Sequence, residues 1–141
     1  MAAWKDLLGG SMKSIPPPFH DLLSDSARAM AYLATIMPDG SPQVTPIWFN
    51  TDGEHILLNS AEGRVKDRNM RQRPQVALVI ADSNNPYRYI QVRGKVVAIT
   101  TQGANEHIDQ LARKYTGNGW DGPLSGRTIY RIKPEKVSVM G

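Results

Sequence analysis

The sequence contains no cysteine among its 141 residues. This absence excludes thiolate nucleophiles, disulfides and cysteine-based metal sites, and it is typical of a cytoplasmic protein. There are only three histidines, His20, His55 and His107, and they are far apart in the chain. Zinc and hydrolytic sites need several ligands or paired carboxylates at short spacing, so we expect no bound metal.

Long apolar runs are also missing. No stretch approaches the roughly 20 apolar residues that cross a bilayer. The segment Met1–Gly10 carries Lys5 and Asp6 and has no apolar centre, so we expect no secretory signal and no membrane partner. The length suits one domain with a core large enough to fold unaided.

The chain does have one dense cluster of positive charge. From Arg64 to Arg73, five cations stand against a single anion, Asp67, and the net charge of +4 equals that of the whole protein. Such a cluster indicates a local anionic partner. Ser60 as N-cap and Pro74 as a stop predict a helix between them. Cations in a first helical turn gain nothing from the helix dipole, so we expect a phosphate among them; a solvated basic helix is the alternative.

The rest of the chain is predicted to be mostly strands. The segment Gln75–Ala81 is apolar almost throughout and is predicted to be an inner strand buried on both faces. Within the long strand Tyr87–Ile99, Gly94 indicates a bulge or bend. Pro46 indicates either edge protection or a strand with one side free for a flat ring. Alternation and turn residues place the other strands at Arg28–Met37, Gln43–Asn50, His55–Ser60, Thr128–Lys133 and Lys136–Met140.

Helices are expected in two other places. Apolar residues at helical spacing predict a long late helix over Thr101–Tyr115, capped by Thr101, and a short helix within Met1–Gly10. The fold class is therefore mainly β (α+β): an antiparallel sheet that closes into a barrel, with one long late helix and short flanking helices. We divide the chain into a helical and proline-rich lead-in, 1–26, and a barrel domain, 27–141. So small a barrel has no room inside for a cofactor, and its site would lie on the outer wall or at a subunit interface.

These residues resemble a known family. The segments Ala34–Phe49, Asp52–Gly53 and Asn59–Met70 are similar to the split β-barrel flavin and deazaflavin reductases, the pyridoxamine 5'-phosphate oxidase-like superfamily. They are most similar to its branch that uses coenzyme F420. The likeness covers Arg28–Gly141 and depends on the combination of Pro-x-Trp, the Asn-Ser turn and the Gly-Arg-x-Lys-x-Arg-Asn helix start. It implies a split β-barrel, a homodimer with two sites at its interface and a small-molecule substrate.

The resemblance also implies which residues bind the cofactor. A hydroxyl, a guanidinium and an ammonium near the start of the basic helix would bond separate oxygens of the cofactor phosphate. The tricyclic ring would lie along the strand Val44–Trp48, and a third group would come from the partner subunit. The implied residues are Ser60, Arg64, Lys66 and Asn69 for the phosphate, Thr45, Pro46 and Ile47 for the ring, and Asn85, Pro86 and Tyr87 from the partner.

The function implied is an F420-dependent reductase that transfers hydride from the deazaflavin to a conjugated or unsaturated small molecule. No catalytic residue or proton donor is identified, and the role of Trp120 in its glycine-rich loop stays open. An FMN-dependent oxidase or reductase is the main alternative, because FMN also ends in phosphate. A carrier of the coenzyme without turnover is another. A nucleic-acid-binding barrel is less favoured, because aromatics are only 7% of residues and do not cluster with the cations.

Overall fold

One antiparallel β-sheet organises the chain. A computed structural model describes the backbone of residues 4–7 and all of residues 11–141. Two α-helices, α1 (Val65–Gln72) and α2 (Ala104–Thr116), accompany the sheet, and three short 3-10 turns lie in the lead-in at Met12–Ser14, Pro17–Leu23 and Asp25–Ala27. The strands are β1 (Trp4–Leu7), β2 (Met30–Ile36), β3 (Pro42–Ile47), β4 (Phe49–Thr51), β5 (Ile56–Ala61), β6 (Gln75–Asp82), β7 (Asn85–Thr100) and β8 (Arg127–Met140).

The sheet curls until its two ends meet. Its strand order is β3-β2-β6-β7-β8-β5-β4, and all neighbours are antiparallel. One edge of β8 pairs with β7, while the other pairs with β5 along its first half and with β1 along its second half. The end strands β3 and β4 are consecutive in the chain and are separated by Trp48 alone. Both ends of the sheet therefore lie side by side at this residue, as the expected barrel-like closure requires.

The core lies on the concave side of this sheet. Alternate residues of each strand point inward, as the period of a strand requires, and burial of each large side chain stabilises the fold by roughly 1.5–3 kcal/mol. Tyr130 and Phe49 are the largest fully buried side chains. The lead-in covers one side of the same cluster with Ile15, Phe19 and Leu22.

The last strand differs from its prediction. β8 is continuous across Pro134, where two strands were expected. Its pairing with β7 shifts between Arg93 and Gly94, which leaves Glu135 as an extra residue in a bulge. A proline can remain in a strand at such a point because the ladder is already interrupted. The bulge or bend predicted at Gly94 is confirmed by this register shift. A Cβ on Gly94 would lie 2.5 Å from the carbonyl oxygen of Lys133, so a side chain does not fit there.

Two of the three predicted helices exist, the basic helix and the long late helix, but each begins later than expected. Ser60 lies in β5, so it does not cap α1; Arg64 is the N-cap in an extended conformation, and the helix has eight residues. α2 begins after Gly103, which adopts a left-handed φ of 76°, and not after Thr101. The apolar stripe predicted for α2 is confirmed, since Ile108 and its neighbours on that face are buried.

Three further predictions were wrong. The single strand expected over Gln43–Asn50 is divided at Trp48 into β3 and β4, which stand at opposite ends of the strand order. Trp4–Leu7 forms a strand, not a helix, because it pairs with the edge of β8 left free beyond β5; the other residues of Met1–Gly10 lie outside the described part. β6 is an inner strand between β2 and β7 as predicted, but it is buried on one face only, since Ala77 and Val79 on the other face are partly exposed in the single chain. The division of the chain at residue 26 stays a prediction. Within the described residues, no helix is long and apolar enough to cross a membrane.

Candidate functional site

An open groove of about 250 Å³ lies where the two ends of the sheet meet. Its walls come from the corner between β3 and β4, the end of β5, the start of α1, one face of α2 and the loop that follows it. One end is cationic and the other is apolar and aromatic. The lining residues are Met30, Pro46, Ile47, Trp48, Asn59, Ser60, Arg64, Lys66, Ile108, Trp120 and Arg127.

The cationic end is built at the junction of β5 and α1. Ser60 is buried near the end of β5. A tight turn follows the strand, and Arg64 and Lys66 come directly after it. Gly63 makes that turn with a φ of 91°, a value that side chains disfavour. Among residues 11–141, no carboxylate oxygen lies within 4.0 Å of the charged groups of Arg64 or Lys66. Burial, and then the neighbouring Arg64 guanidinium, lower the pKa of Lys66.

The anion of the basic segment does not neutralise these cations. Asp67 is 1% exposed and accepts hydrogen bonds from the Gly63 amide at 2.8 Å, from Arg71 Nε at 2.9 Å and from the Tyr130 hydroxyl. Burial alone would raise the pKa of Asp67. The three hydrogen bonds, together with the positive charge of Arg71, instead hold this pKa below its ordinary value. Its charge is therefore committed to holding α1 on the sheet.

The remaining cations of the segment lie outside the groove. Arg68 donates to the Gly63 carbonyl, and Arg73 donates to the Ile36 carbonyl at 2.7 Å and to Asn69. Together with Arg71 they line a separate hollow on the other side of α1. Of the five cations counted in the sequence, only Arg64 and Lys66 reach the groove.

The apolar end is the corner of the sheet. Pro46 and Ile47 line it from β3, which is an edge strand as the proline indicated. The hydroxyl oxygen of Thr45 is buried without a hydrogen-bond partner among the described residues. Trp48 stacks on Tyr115 with ring centroids 5.2 Å apart and meets the edge of Trp120 at 6.1 Å. Such pairs stabilise beyond their buried area, so this corner is rigid.

Sequence reasoning missed several lining residues, above all Arg127. This residue begins β8 and is opposite Ala61 in the ladder, so pairing of distant strands brings it to the cationic end. Trp120 is docked on the barrel: its backbone amide donates to Asp109 at 2.9 Å and its ring contacts Trp48. No local sequence signal marks Arg127, because strand register alone places it there.

His107 is buried behind the groove wall. Its Nδ1 lies 3.2 Å from Asn59 Nδ2, and its Nε2 lies 2.8 Å from Asn50 Oδ1. Burial and the nearby charge of Arg131 lower its pKa to about 4. The neutral ring therefore accepts from Asn59 at Nδ1 and donates to Asn50 from Nε2. Because both nitrogens are engaged, His107 orients Asn59 and is not free to transfer protons.

Some of the predicted site residues do not reach the groove in one chain. The predicted phosphate role of Asn69 is not supported by its placement: the side chain is buried on the other side of α1 and donates to Thr35 Oγ1 at 3.0 Å and to Met37 Sδ. Asn85, Pro86 and Tyr87 are exposed at the start of β7 and do not line the groove. Their expected approach from a partner subunit stays a prediction, as does the binding role of the other site residues.

The groove suits a ligand with an anionic group at its cationic end. Buried polar atoms normally have partners, so the orphaned hydroxyl of Thr45, which precedes the lining residue Pro46 but does not line the groove itself, indicates a missing ligand or neighbour. The cations at the other end lack counter-charges in the part of the chain that the structure describes. The volume lies below the roughly 300–1,000 Å³ of ordinary ligand pockets. Over residues 11–141, no group of three or more metal-binding side chains was found.

Comparisons with known proteins establish the fold. A family model described as pyridoxamine 5'-phosphate oxidase matches residues 20–141. The chain is similar to a solved F420 reductase at 34% identity and a TM-score of 0.78, over 87% of this chain and 98% of that one. It shares its fold with a conserved hypothetical protein from Mycobacterium tuberculosis (23% identity, TM-score 0.70, 89% and 84% covered). A FAD-binding protein from Mesorhizobium loti also shares it (20%, 0.67, 99% and 97%). The expected split β-barrel is thereby confirmed.

Proposed function

The chain belongs to the pyridoxamine 5'-phosphate oxidase family, and we propose that it is an oxidoreductase that binds a phosphorylated flavin or deazaflavin in the groove. We propose coenzyme F420 as the cofactor, because the similar structure at 34% identity is an F420 reductase. FMN is the alternative, since it also ends in phosphate. The substrate class is a conjugated or unsaturated small molecule.

The observation that carries this proposal is the unneutralised charge beside Ser60. Arg64 and Lys66 face the groove without a carboxylate within 4.0 Å among residues 11–141, although α1 contains an aspartate. Charge-assisted hydrogen bonds from a guanidinium and an ammonium are stronger than neutral ones, and a buried hydroxyl adds a third donor. These three groups would hold the cofactor phosphate.

We place the cofactor ring along β3. Pro46 has no N–H group, and β3 is an edge strand, so a flat ring can approach its free side. The orphaned Thr45 hydroxyl would find its partner on the ring or on a second subunit. Pro46 and Ile47 supply the apolar contact. Each of these roles extends a prediction that was first made from the resemblance.

The protein's part in the reaction is orientation and exclusion of water. When bound, the reduced deazaflavin supplies a hydride from its C5 position. The residues of the groove fix its phosphate at one end and its ring at the other, which sets the reacting face. The stacked Trp48 and Tyr115, with Trp120 on their edge, close the aromatic end against solvent. No side chain is needed as a nucleophile.

We also propose a homodimer. Tyr32 is 44% exposed and Val44 is 65% exposed on the face of β2 and β3 that points away from the core. A mainly apolar hollow of about 430 Å³ lies beside them, with Ala34 and Ala77 in its wall. A contiguous apolar face of this kind is typical of an interface. A second subunit seated there would also complete the small groove, with Asn85–Tyr87 as the contribution expected from it.

The dimer is tested by sedimentation velocity. Val44→Asp places a charge on the proposed interface, so we expect a monomer with weakened cofactor binding. Val97→Asp is the control, because Val97 is also exposed, at 48%, but lies in β7 and not on the proposed interface of β2 and β3. A wild-type monomer that binds cofactor fully would contradict the dimer and leave the groove as a one-chain site.

The cofactor is tested by fluorescence titration of the purified protein with F420 and with FMN. We expect F420 to bind more tightly, and protein purified from a host without deazaflavins to be colourless. Arg64→Ala should weaken binding because it removes one phosphate contact, whereas Arg113→Ala, an exposed control cation paired with Asp109, should not. Yellow protein that retains FMN would favour the alternative, and Arg64→Ala binding as tightly as wild type would refute the phosphate site.

A further inference from the structure

Arg127 reaches the cationic end of the groove from a different element than the other two cations. It is the first residue of β8, and the ladder places its Cα opposite Ala61 while Thr128 lies opposite Ser60. Arg64 and Lys66 come instead from the start of α1. The three cations therefore surround one end of the groove from two directions, and Arg127 lines it directly.

Only neutral groups hold the Arg127 side chain. Its Nε donates to the Pro123 carbonyl at 3.1 Å, and its Nη1 lies 3.5 Å from Asn59 Oδ1. Its guanidinium carbon lies 4.7 Å from the centroid of the Trp120 ring. Stacking on an indole fixes the plane of a guanidinium while leaving donors on its edge available. Over residues 11–141, no carboxylate oxygen lies within 4.0 Å of it.

Asn59 presents its oxygen to Arg127 because of its other contacts. Its Nδ2 donates to the Ala104 carbonyl at 2.9 Å and to His107 Nδ1 at 3.2 Å. Both amide hydrogens are thereby used, so Oδ1 must be the atom that points to the groove. Asn59 and His107 act as positioning residues for the guanidinium.

The charge of Arg64 disfavours the charged forms of Lys66 and Arg127. Burial, and then the charge of Arg64, lower the pKa of Arg127, and the same two causes lower that of Lys66. Like charges that converge without a counter-charge destabilise the site until an anion binds. A phosphodiester carries one negative charge and would leave two of the three cations uncompensated. Two negative charges would leave one.

We infer that Arg127 is a ligand-binding residue that supplies a third positive charge to this end of the groove, and that the ligand presents two negative charges there. This inference depends on the proposed function for the identity of the ligand. The shared chemistry is a dianion. A terminal phosphate monoester, as in FMN, and a phosphodiester with a nearby carboxylate, as in F420, both provide it.

The test compares Arg127→Gln with wild type in fluorescence titrations of three ligands. These are the deazaflavin core without phosphate, FMN and F420. We expect the core to bind both proteins equally within about twofold, and the dianionic ligand to bind the variant about 10–100-fold more weakly. Arg127→Lys should restore part of the affinity because it keeps the charge. The charged ligand that loses affinity identifies the source of the second negative charge.

Lys133→Gln is the matched control. It removes one exposed cation from the same strand without touching the groove. It should change no affinity by more than about twofold, because exposed charges at a distance are screened. An equal loss for the core and for the charged ligands in Arg127→Gln would mean that Arg127 only supports the Trp120 loop, and would overturn the inference. Unchanged affinity for all three ligands would overturn it too.

A second readout does not depend on a flavin. Inorganic phosphate, mostly a dianion at pH 8, should raise the melting midpoint of the wild type more than that of Arg127→Gln. If wild type binds none of the three ligands but shows this difference, the proposed function fails and the dianion site stands. If phosphate shifts both proteins equally, the Arg127 site fails whatever the flavin titrations show.

Discussion

At the start of α1, Arg64 and Lys66 face a groove with no carboxylate beside them among residues 11–141, whereas further along the same segment every cation has an acceptor. Arg71 is paired with Asp67, and Arg68 and Arg73 donate to backbone carbonyls. We refer to the first pair as the groove set and to the other three as the far set. The two sets lie within ten residues and look alike in the sequence.

The difference between the sets shows what marks a binding site. Charge density alone does not, because three of the five cations of this segment are engaged by contacts within the protein. A site is marked where cations are held in place while their counter-charge is directed elsewhere. Asp67 is the counter-charge in this case. It is adjacent to Lys66 in the chain, yet its carboxylate accepts hydrogen bonds from Gly63, Arg71 and Tyr130.

The largest effect is expected from removing that anion. Asp67→Ala removes the buried carboxylate that pairs with exposed Arg71 and leaves the Tyr130 hydroxyl and the Gly63 amide without an acceptor, so we expect a loss of about 4 kcal/mol in the free energy of unfolding. Asp67→Asn keeps the shape and can still accept hydrogen bonds, so it should lose less. Urea denaturation measures both. Wild-type stability of the alanine variant would mean that the far set is not anchored by Asp67.

A second effect comes from the wall behind the groove set. The pKa of His107 is about 4 in the folded protein and 6.5 in the unfolded chain. Between these values the unfolded chain binds the proton preferentially, so stability is full above pH 6.5 and falls as the pH drops. The total loss by pH 4 is roughly 3 kcal/mol. Denaturation at pH 7, 6 and 5 should show a shallower slope for His107→Gln; equal slopes would contradict the assignment.

The two sets are compared directly by paired substitutions. Lys66→Ala should weaken cofactor binding by about 30-fold, since a charge-assisted phosphate contact is worth roughly 1.5–3 kcal/mol. Arg68, a member of the far set, lies two residues after Lys66. Arg68→Ala removes an equal charge and should change cofactor affinity by less than about threefold. Fluorescence titration of both variants decides the matter. Equal losses would mean that general charge, and not placement, attracts the ligand.

The smallest effect concerns the turn that precedes the groove set. Gly63 and Gly53 have φ values of 91° and 90°, and a Cβ at either position would meet no atom within 4 Å. Gly63→Ala and Gly53→Ala should therefore each cost about 1 kcal/mol of stability from backbone strain alone. Only Gly63→Ala should also weaken cofactor binding, by a few-fold, because the turn positions Arg64 and Lys66. Unchanged affinity would show that the turn tolerates a shift.

Periodicity along the chain predicted most of the helices and strands and part of the site. The remaining site residues are placed by the register of distant strands. The stripe of α2, the hairpins and the basic segment depend on neighbours in the chain, and their periodicity is visible in the sequence. Arg127 reaches the groove through pairing with Ala61, 66 positions earlier by residue number, which no local pattern records. Ser60 was predicted to cap the helix because serine is a preferred N-cap residue, but it lies in β5. Asn69 was expected near the phosphate, but its side chain contacts Thr35 and Met37 on the other side of α1.

The corner at Trp48 has a consequence for how this site can vary. A single residue joins the two edges of the sheet, so the width of the opening depends on the number of residues there and not on the size of its side chains. Substitutions can reshape the lining one position at a time. An insertion of one residue beside Trp48 would instead reverse the inward and outward faces of β4 and separate the ends of the sheet at β3 and β4. We therefore expect a change of ligand to require changes of side chain in the lining, with the length of this link held constant.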